Sequence, residues 1–234
     1  GDLGYTTVSC EGWEADDILG TLSAACEREG NSCMIATGDR DSLQLVSPST
    51  TVRLASTKFG QPQVTLYDEA KIMEEYGVTP HQMIDLKAIQ GDSSDCIPGV
   101  AGIGPKGAGE LVQAYGSLEN IYANLEDPAI KPAARKKLEA SRENAFLSYE
   151  LGTIRRDAPI HTEIADYVKT PGDPQKAGAA MVRLELFSLL EKFGLSAPQA
   201  ENSPAAPAAG RPQLNRLADG AAMLPRLEDQ GSAW

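Results

Sequence analysis

The spacing of apolar positions changes character near Asp68. Before it, short apolar runs alternate with helical stretches. Residues 5–9 read as a short strand and 13–28 as a helix. Residues 32–37 form an apolar run bounded by turn formers, which predicts a second strand. It ends in Gly38-Asp39-Arg40-Asp41, and 42–46 then suggest a helical turn. Residues 52–54 and 63–66 look like short strands around a Phe59-Gly60 turn. Such alternation predicts an α/β domain with a mostly parallel sheet.

After Asp68 the pattern is helical. Asp68 can cap a helix running to Tyr76 and stopped by Gly77. Thr79-Pro80-His81-Gln82 is a start signal, with Thr as N-cap, Pro in the first turn and Gln three residues on from the cap. Further helices are expected over 107–115, 118–124, 133–147 and 181–193, the last closed by Gly194. Residues 196–213 are Ala/Pro-rich and read as a flexible linker, and 214–234 as the first piece of something truncated.

The 234 residues suffice for one large domain or two small ones, and 41% hydrophobic content allows a core. No apolar run is long enough to span a membrane, so none is expected. The four cysteines (Cys10, Cys26, Cys33, Cys96) show no CxxC or Cys/His pairing, which argues against a zinc site. Reduced thiols and a cytoplasmic chain are the expectation. Two histidines leave little room for histidine-based chemistry. A net charge of −12 argues against a uniformly basic DNA-coating surface. It does not argue against a local carboxylate site, because bound cations reverse the local sign.

Three acidic clusters carry the chemistry. Glu14, Asp16 and Asp17 lie at the start of the first helix, where acids also simply favour the helix dipole. Asp39 and Asp41 follow the apolar strand 32–37, where open α/β sheets bind ligands, although a polar turn looks the same. Asp92 and Asp95, in Gly91-Asp92-Ser93-Ser94-Asp95, could reach one ion from a single loop or merely cap it. Taken together, seven close carboxylates would repel unless hard cations neutralised them, and oxygen-only ligands point to Mg²⁺, with Mn²⁺ as substitute. Two such ions suit phosphodiester hydrolysis. Next come Gly102, Ile103, Gly104, Pro105, Lys106 and Gly107, a tight turn exposing backbone N–H groups at a helix start, suited to a DNA-backbone phosphate. Lys131, Arg135, Lys136, Lys137 and Arg142 form a basic stretch that reads first as a solvated helix face.

Gly12-Trp13-Glu14-Ala15-Asp16-Asp17-Ile18, Thr37-Gly38-Asp39-Arg40-Asp41, Gly91-Asp92-Ser93-Ser94-Asp95 and the 102–106 hairpin occur here in order. Together they resemble the 5′-3′ exonuclease domain of bacterial DNA polymerase I, within the flap-endonuclease-like family, over residues 1–195. The resemblance implies a PIN-like nuclease core over 1–78, its N-terminal part missing. A helix-3-turn-helix DNA-binding module with closing helices would cover 79–195. It also implies 5′ nuclease action on flaps, nicks and primer-bearing duplexes with two Mg²⁺ ions. By motif match, Glu14, Asp16, Asp17, Asp39, Asp41, Asp92 and Asp95 would be catalytic metal ligands, the last two completing a second metal site. Residues 102–107 would clamp DNA, with K⁺ held by backbone carbonyls. The expected partners are DNA and the polymerase domains of the same longer chain, the whole acting as a monomer.

Two features depart from the family pattern. Family members begin upstream with a strand bearing another metal-binding aspartate, followed by a basic helical arch, so the chain reads as an internal fragment. Cys96 stands where the family usually has Asn, which could remove a hydrogen bond behind the ligands. Besides hydrolysis, two other readings stay open. One is a fragment that binds DNA without cutting it. The other is a Mg²⁺ phosphohydrolase of small phosphoesters, which would have no use for a duplex clamp.

Overall fold

The computed structural model describes residues 1–196, so the linker from 197 onward and the segment 214–234 lie outside the described residues. The chain divides into two units, 1–173 and another beginning at Pro174. In the second, α8 (Pro174–Arg183) and α9 (Phe187–Lys192) replace the single helix expected over 181–193. Glu185 adopts a left-handed φ of 57° between them, which ends helical hydrogen bonding.

In the first unit, α1 (Ala15–Glu29) leads to β1 (Cys33–Thr37), β2 (Thr50–Lys58) and β3 (Gln61–Tyr67). β1 lies parallel to β2, with Ile35 opposite Val52. β2 runs antiparallel to β3, with Leu54 opposite Thr65. The sheet is therefore mixed, not mostly parallel. The reason is local: Phe59 and Gly60 both take positive φ, the two-residue connection that joins antiparallel strands. Ile35, Val52, Leu54 and Tyr67 turn one face inward onto Leu43, Leu45 and Ile72, forming the first core. Leu43 and Leu45 come from a 3-10 helix (Asp41–Leu45) at the place read as a helical turn.

No strand forms over 5–9. Its side chains are mostly exposed, and the neighbouring backbone is tied elsewhere. Gly4 O accepts from Thr170 N at 2.9 Å, and Asp2 O accepts from Asp173 N at 2.8 Å.

The helical half follows the caps. Asp68 Oδ1 accepts from Lys71 N at 2.8 Å to open α2 (Glu69–Tyr76), and Gly77 closes it in a left-handed conformation. Residues 79–82 form a turn, so α3 (Met83–Gln90) begins later than the Thr79-Pro80 signal predicts. α4 (Pro105–Tyr115), α5 (Leu118–Ala123), α6 (Pro132–Ala140) and α7 (Arg142–Gly152) complete the unit. The helix expected over 133–147 is thus two, broken at Ser141, whose Oγ accepts from Ala101 N at 3.4 Å. Ile89, Val112, Leu118, Ile121 and Leu138 fill the second core, and Tyr76 and Met83 pack against both cores. Asp85 is 2% exposed, accepts from Leu118 N at 2.8 Å and starts α5 against α3.

Between α3 and α4 the chain makes the acidic loop. Asp92 and Ile97 exchange both backbone hydrogen bonds, at 2.9 and 2.8 Å, and close it. Its two ends touch: a Cβ on Gly99 would lie 2.4 Å from Gly91 N. Gly99 also has φ +61°. Gly99→Ala should therefore lower unfolding stability by about 3 kcal/mol or more in a denaturant titration. Gly12→Ala, with φ +78° but nothing within 4 Å of the new methyl, should cost only about 1–2 kcal/mol. Equal losses for the two variants would refute the close-approach argument.

Candidate metal centre

Four segments converge on one cleft of about 350 Å³. It is lined by Glu14 and Asp16 from the start of α1, Asp39 and Asp41 after β1, Lys87 from α3, and Asp95 from the acidic loop. Each position has a local cause. The Glu14 N–H donates to Asp17 Oδ2 at 3.2 Å, which fixes the helix start and holds Asp16 in its first turn. Asp39 Oδ1 accepts from Asp41 N at 2.9 Å, so the turn after β1 folds back on itself. In the loop, Asp92 Oδ1 accepts from Ser94 N at 2.9 Å and from the Ser94 hydroxyl.

The charges are crowded. Asp41, Asp92 and Asp95 each offer a carboxylate oxygen, and these oxygens lie within 4.8 Å of one another. Burial pushes Asp16 above the usual carboxylate range, and Asp39, Asp41, Glu14 and Asp17 push it the same way. Burial also raises Asp41, with the Lys87 ammonium pulling against it. Asp92 is held low, first by the Ser94 hydroxyl, with Lys87 assisting. Lys87 contacts Asp41, Asp95 at 2.6 Å and Asp92 at 3.3 Å, although its side chain is only 8% exposed. Burial alone would lower its pKa, but its bonds to Asp41 and Asp95 outweigh this and raise it.

A second cleft, of about 500 Å³, begins where the first leaves off. Asp41, Lys87 and Asp92 line it together with Arg40 and, from the start of α4, Pro105 and Lys106. At that helix start Gly104 is the N-cap, Pro105 occupies the first turn, and Gly102 turns the chain at φ +79°.

Two family descriptions match successive stretches of the chain. Residues 1–77 match the family described as 5′-3′ exonuclease, N-terminal resolvase-like domain. Residues 78–175 match the 5′-3′ exonuclease, C-terminal SAM fold. The chain belongs to the 5′-3′ exonuclease family. DNA polymerase I of Caldicellulosiruptor bescii is 42% identical over 81% of this chain and 22% of that protein. DNA polymerase I of Bacillus caldotenax is 40% identical over 94% of this chain and 25% of that protein. The chain thus spans about a quarter or less of these relatives' length and corresponds to their exonuclease region. The fold is shared with a zinc-bound T5 5′-exonuclease, 24% identical over 80% of this chain and 61% of that one, with a TM-score of 0.54.

Against the residues expected from sequence, the structure gathers Glu14, Asp16, Asp39, Asp41 and Asp95 on one cleft and places Asp92 against Asp41 and Asp95. Asp17 is set apart. Both its oxygens accept backbone N–H groups, Oδ2 from Glu14 and Oδ1 from Arg155 at 2.9 Å. It fastens the helix start and does not line the cleft that the other acids share. The basic stretch is also partly engaged: Arg135 pairs with Glu126 at 2.7 Å, Arg142 lies over Tyr122, and Lys137 donates to Gly102 O at 2.7 Å.

Sequence reasoning passed over Lys87 and Arg155. A lysine inside the apolar run Ile84 to Ile89, one turn before Gly91-Asp92, was the available signal for the first. Arg155, stacked over Trp13 at 3.9 Å from the ring centroid, carried no local signal. The donor set fits a hard divalent ion: only carboxylate oxygens converge, they repel one another, and an ammonium already lies among three of them.

Cys96 sits at φ 57°, a left-handed conformation that Asn adopts more readily than Cys. The cost of a Cys at this position is therefore in the backbone. Cys96→Asn should stabilise the chain by about 0.5–1 kcal/mol in thermal unfolding without metal. A lower melting temperature in that variant would contradict this account.

Proposed function

We propose that this chain cuts DNA phosphodiester bonds from the 5′ side, at flaps, nicks and primer junctions, using two Mg²⁺ ions for which Mn²⁺ can substitute. The observation that carries it is the convergence of six carboxylates on a cleft continuous with the N-terminus of α4. Glu14, Asp16 and Asp39 would hold one ion; Asp41, Asp92 and Asp95 would hold the other. Such ions activate a water for attack and stabilise the leaving oxygen.

The residues around them do the positioning. Backbone N–H groups at the start of α4, with Lys106, seat a phosphate of the duplex and read no sequence. Gly102, Ile103, Gly104 and Gly107 shape that turn. A K⁺ at this hairpin would use carbonyls other than that of Gly102, which Lys137 occupies. Asp17 acts as a positioning residue through the Glu14 backbone. As part of a longer polymerase chain in the cytoplasm, the region would act as a monomer on DNA. The division into a nuclease core over 1–78 and a DNA-binding module over 79–195 belongs to the same proposal.

The test is cleavage of a labelled 5′-flap duplex by this chain in Mg²⁺ and in EDTA. Short 5′ products that need metal are expected. Asp39→Ala and Asp92→Ala should each reduce cleavage by more than about 100-fold, the upper end for losing an outer-shell partner of a metal. Both should still shift the duplex on a gel. Undiminished cleavage in either variant would sink the ligand assignment, and a shifted but uncut duplex with the parent chain would favour binding without catalysis.

A further inference from the structure

Lys87 occupies the place where a cation would be expected. α3 carries it into the acidic cleft from an otherwise apolar helix face, and its ammonium touches all three carboxylates of the Asp41, Asp92 and Asp95 group. The stem packs along α7: a Cβ on Gly152 would stand 3.4 Å from Lys87 Cδ and 3.9 Å from Ile97 Cδ1, ordinary contact distances.

We propose that the Lys87 ammonium is a built-in counter-ion that holds Asp41, Asp92 and Asp95 together before a divalent ion arrives, and then competes with that ion for them. The proposal rests on reading the cleft as a metal centre. Its physical basis is that an ammonium in hydrogen-bond contact with three carboxylates lies in the volume a divalent ion needs to reach the same oxygens. Two cations cannot share that volume without strong repulsion. The stem packs against α7 while the ammonium end lines both clefts, so the ammonium yields by rotating its side chain away from the carboxylates. One ammonium does not balance three carboxylates, and the remaining negative charge still attracts the ion.

Two consequences follow. The free protein keeps its ligands gathered without metal, and it binds the ion more weakly than the naked carboxylates would. Lys87→Met keeps the stem and removes the charge, whereas Lys87→Arg keeps the charge. Both are compared with the parent chain in thermal unfolding in EDTA and in Mn²⁺ binding followed by electron paramagnetic resonance of the free ion, without DNA.

Lys87→Met should melt about 3–6 °C lower in EDTA. It should recover that loss in Mn²⁺ and bind the ion about tenfold more tightly than the parent. Lys87→Arg should stay near the parent in EDTA and bind no more tightly. If Lys87→Met fails to fold in EDTA, Lys87→Gln provides the same binding comparison. Unchanged or weaker Mn²⁺ affinity in a folded, uncharged variant overturns the competition. No Mn²⁺ binding by parent and variants alike overturns the metal-centre reading as well.

Discussion

Carboxylates forced close together repel, and the architecture around the cleft answers that constraint. Glu14, Asp16, Asp39, Asp41, Asp92 and Asp95 come from a helix start, a strand end and a loop, and no single element could gather them. Holding such a set requires rigid backbone at each origin and a compensating charge. The rigid backbone comes from the Asp17 fastening of α1, the Asp39 turn and the doubly bonded loop closure. The compensating charge comes from Lys87. Its stem packs against Gly152 of α7, so the packing of the helices and the electrostatics of the acidic cleft are linked.

That coupling explains why the two cores meet where they do. Tyr76 ends α2 and Met83 begins α3, and both contribute to each core. α3 therefore has a fixed position relative to the sheet as well as to α4 and α7. A lysine on α3 can reach Asp41 beyond the end of β1 only because that position is fixed. The start of α4 is referred to the same frame through the loop that α3 enters.

Much of this was legible in the sequence, for reasons that differ by residue. Asp68 and Gly77 announced α2 because capping and left-handed closure are local events. The acidic clusters and the Gly102 turn were legible because their residue types carry chemistry. The strand expected over 5–9 failed because a strand needs a neighbour, and alternation along the chain cannot supply one. The break at Ser141 was hidden because a serine hydroxyl facing a distant N–H leaves no mark on local periodicity. The antiparallel β2–β3 pair was readable in principle from Phe59-Gly60, but the expectation of a mostly parallel sheet outweighed it. Lys87 was obscured by the ordinary assumption that a helical lysine faces water, and the backbone bonds of Asp17 to Glu14 and Arg155 left no mark on local sequence.

The break between α6 and α7 sets a distance. Ser141 receives the N–H of Ala101 beside the Gly102 turn, and Ser148 Oγ, further along, receives the N–H of Gly99 at the exit of the acidic loop, at 2.9 Å. These hydroxyls are about two helical turns apart, roughly 10 Å along the axis. α7 thus works as a graduated scale, with one mark for the Gly102 turn and another for the acidic loop. Inserting a single residue between the two serines would rotate one mark by about 100° relative to the other. The turn and the loop could each remain intact, yet the acidic cleft would no longer face the start of α4 in the same register.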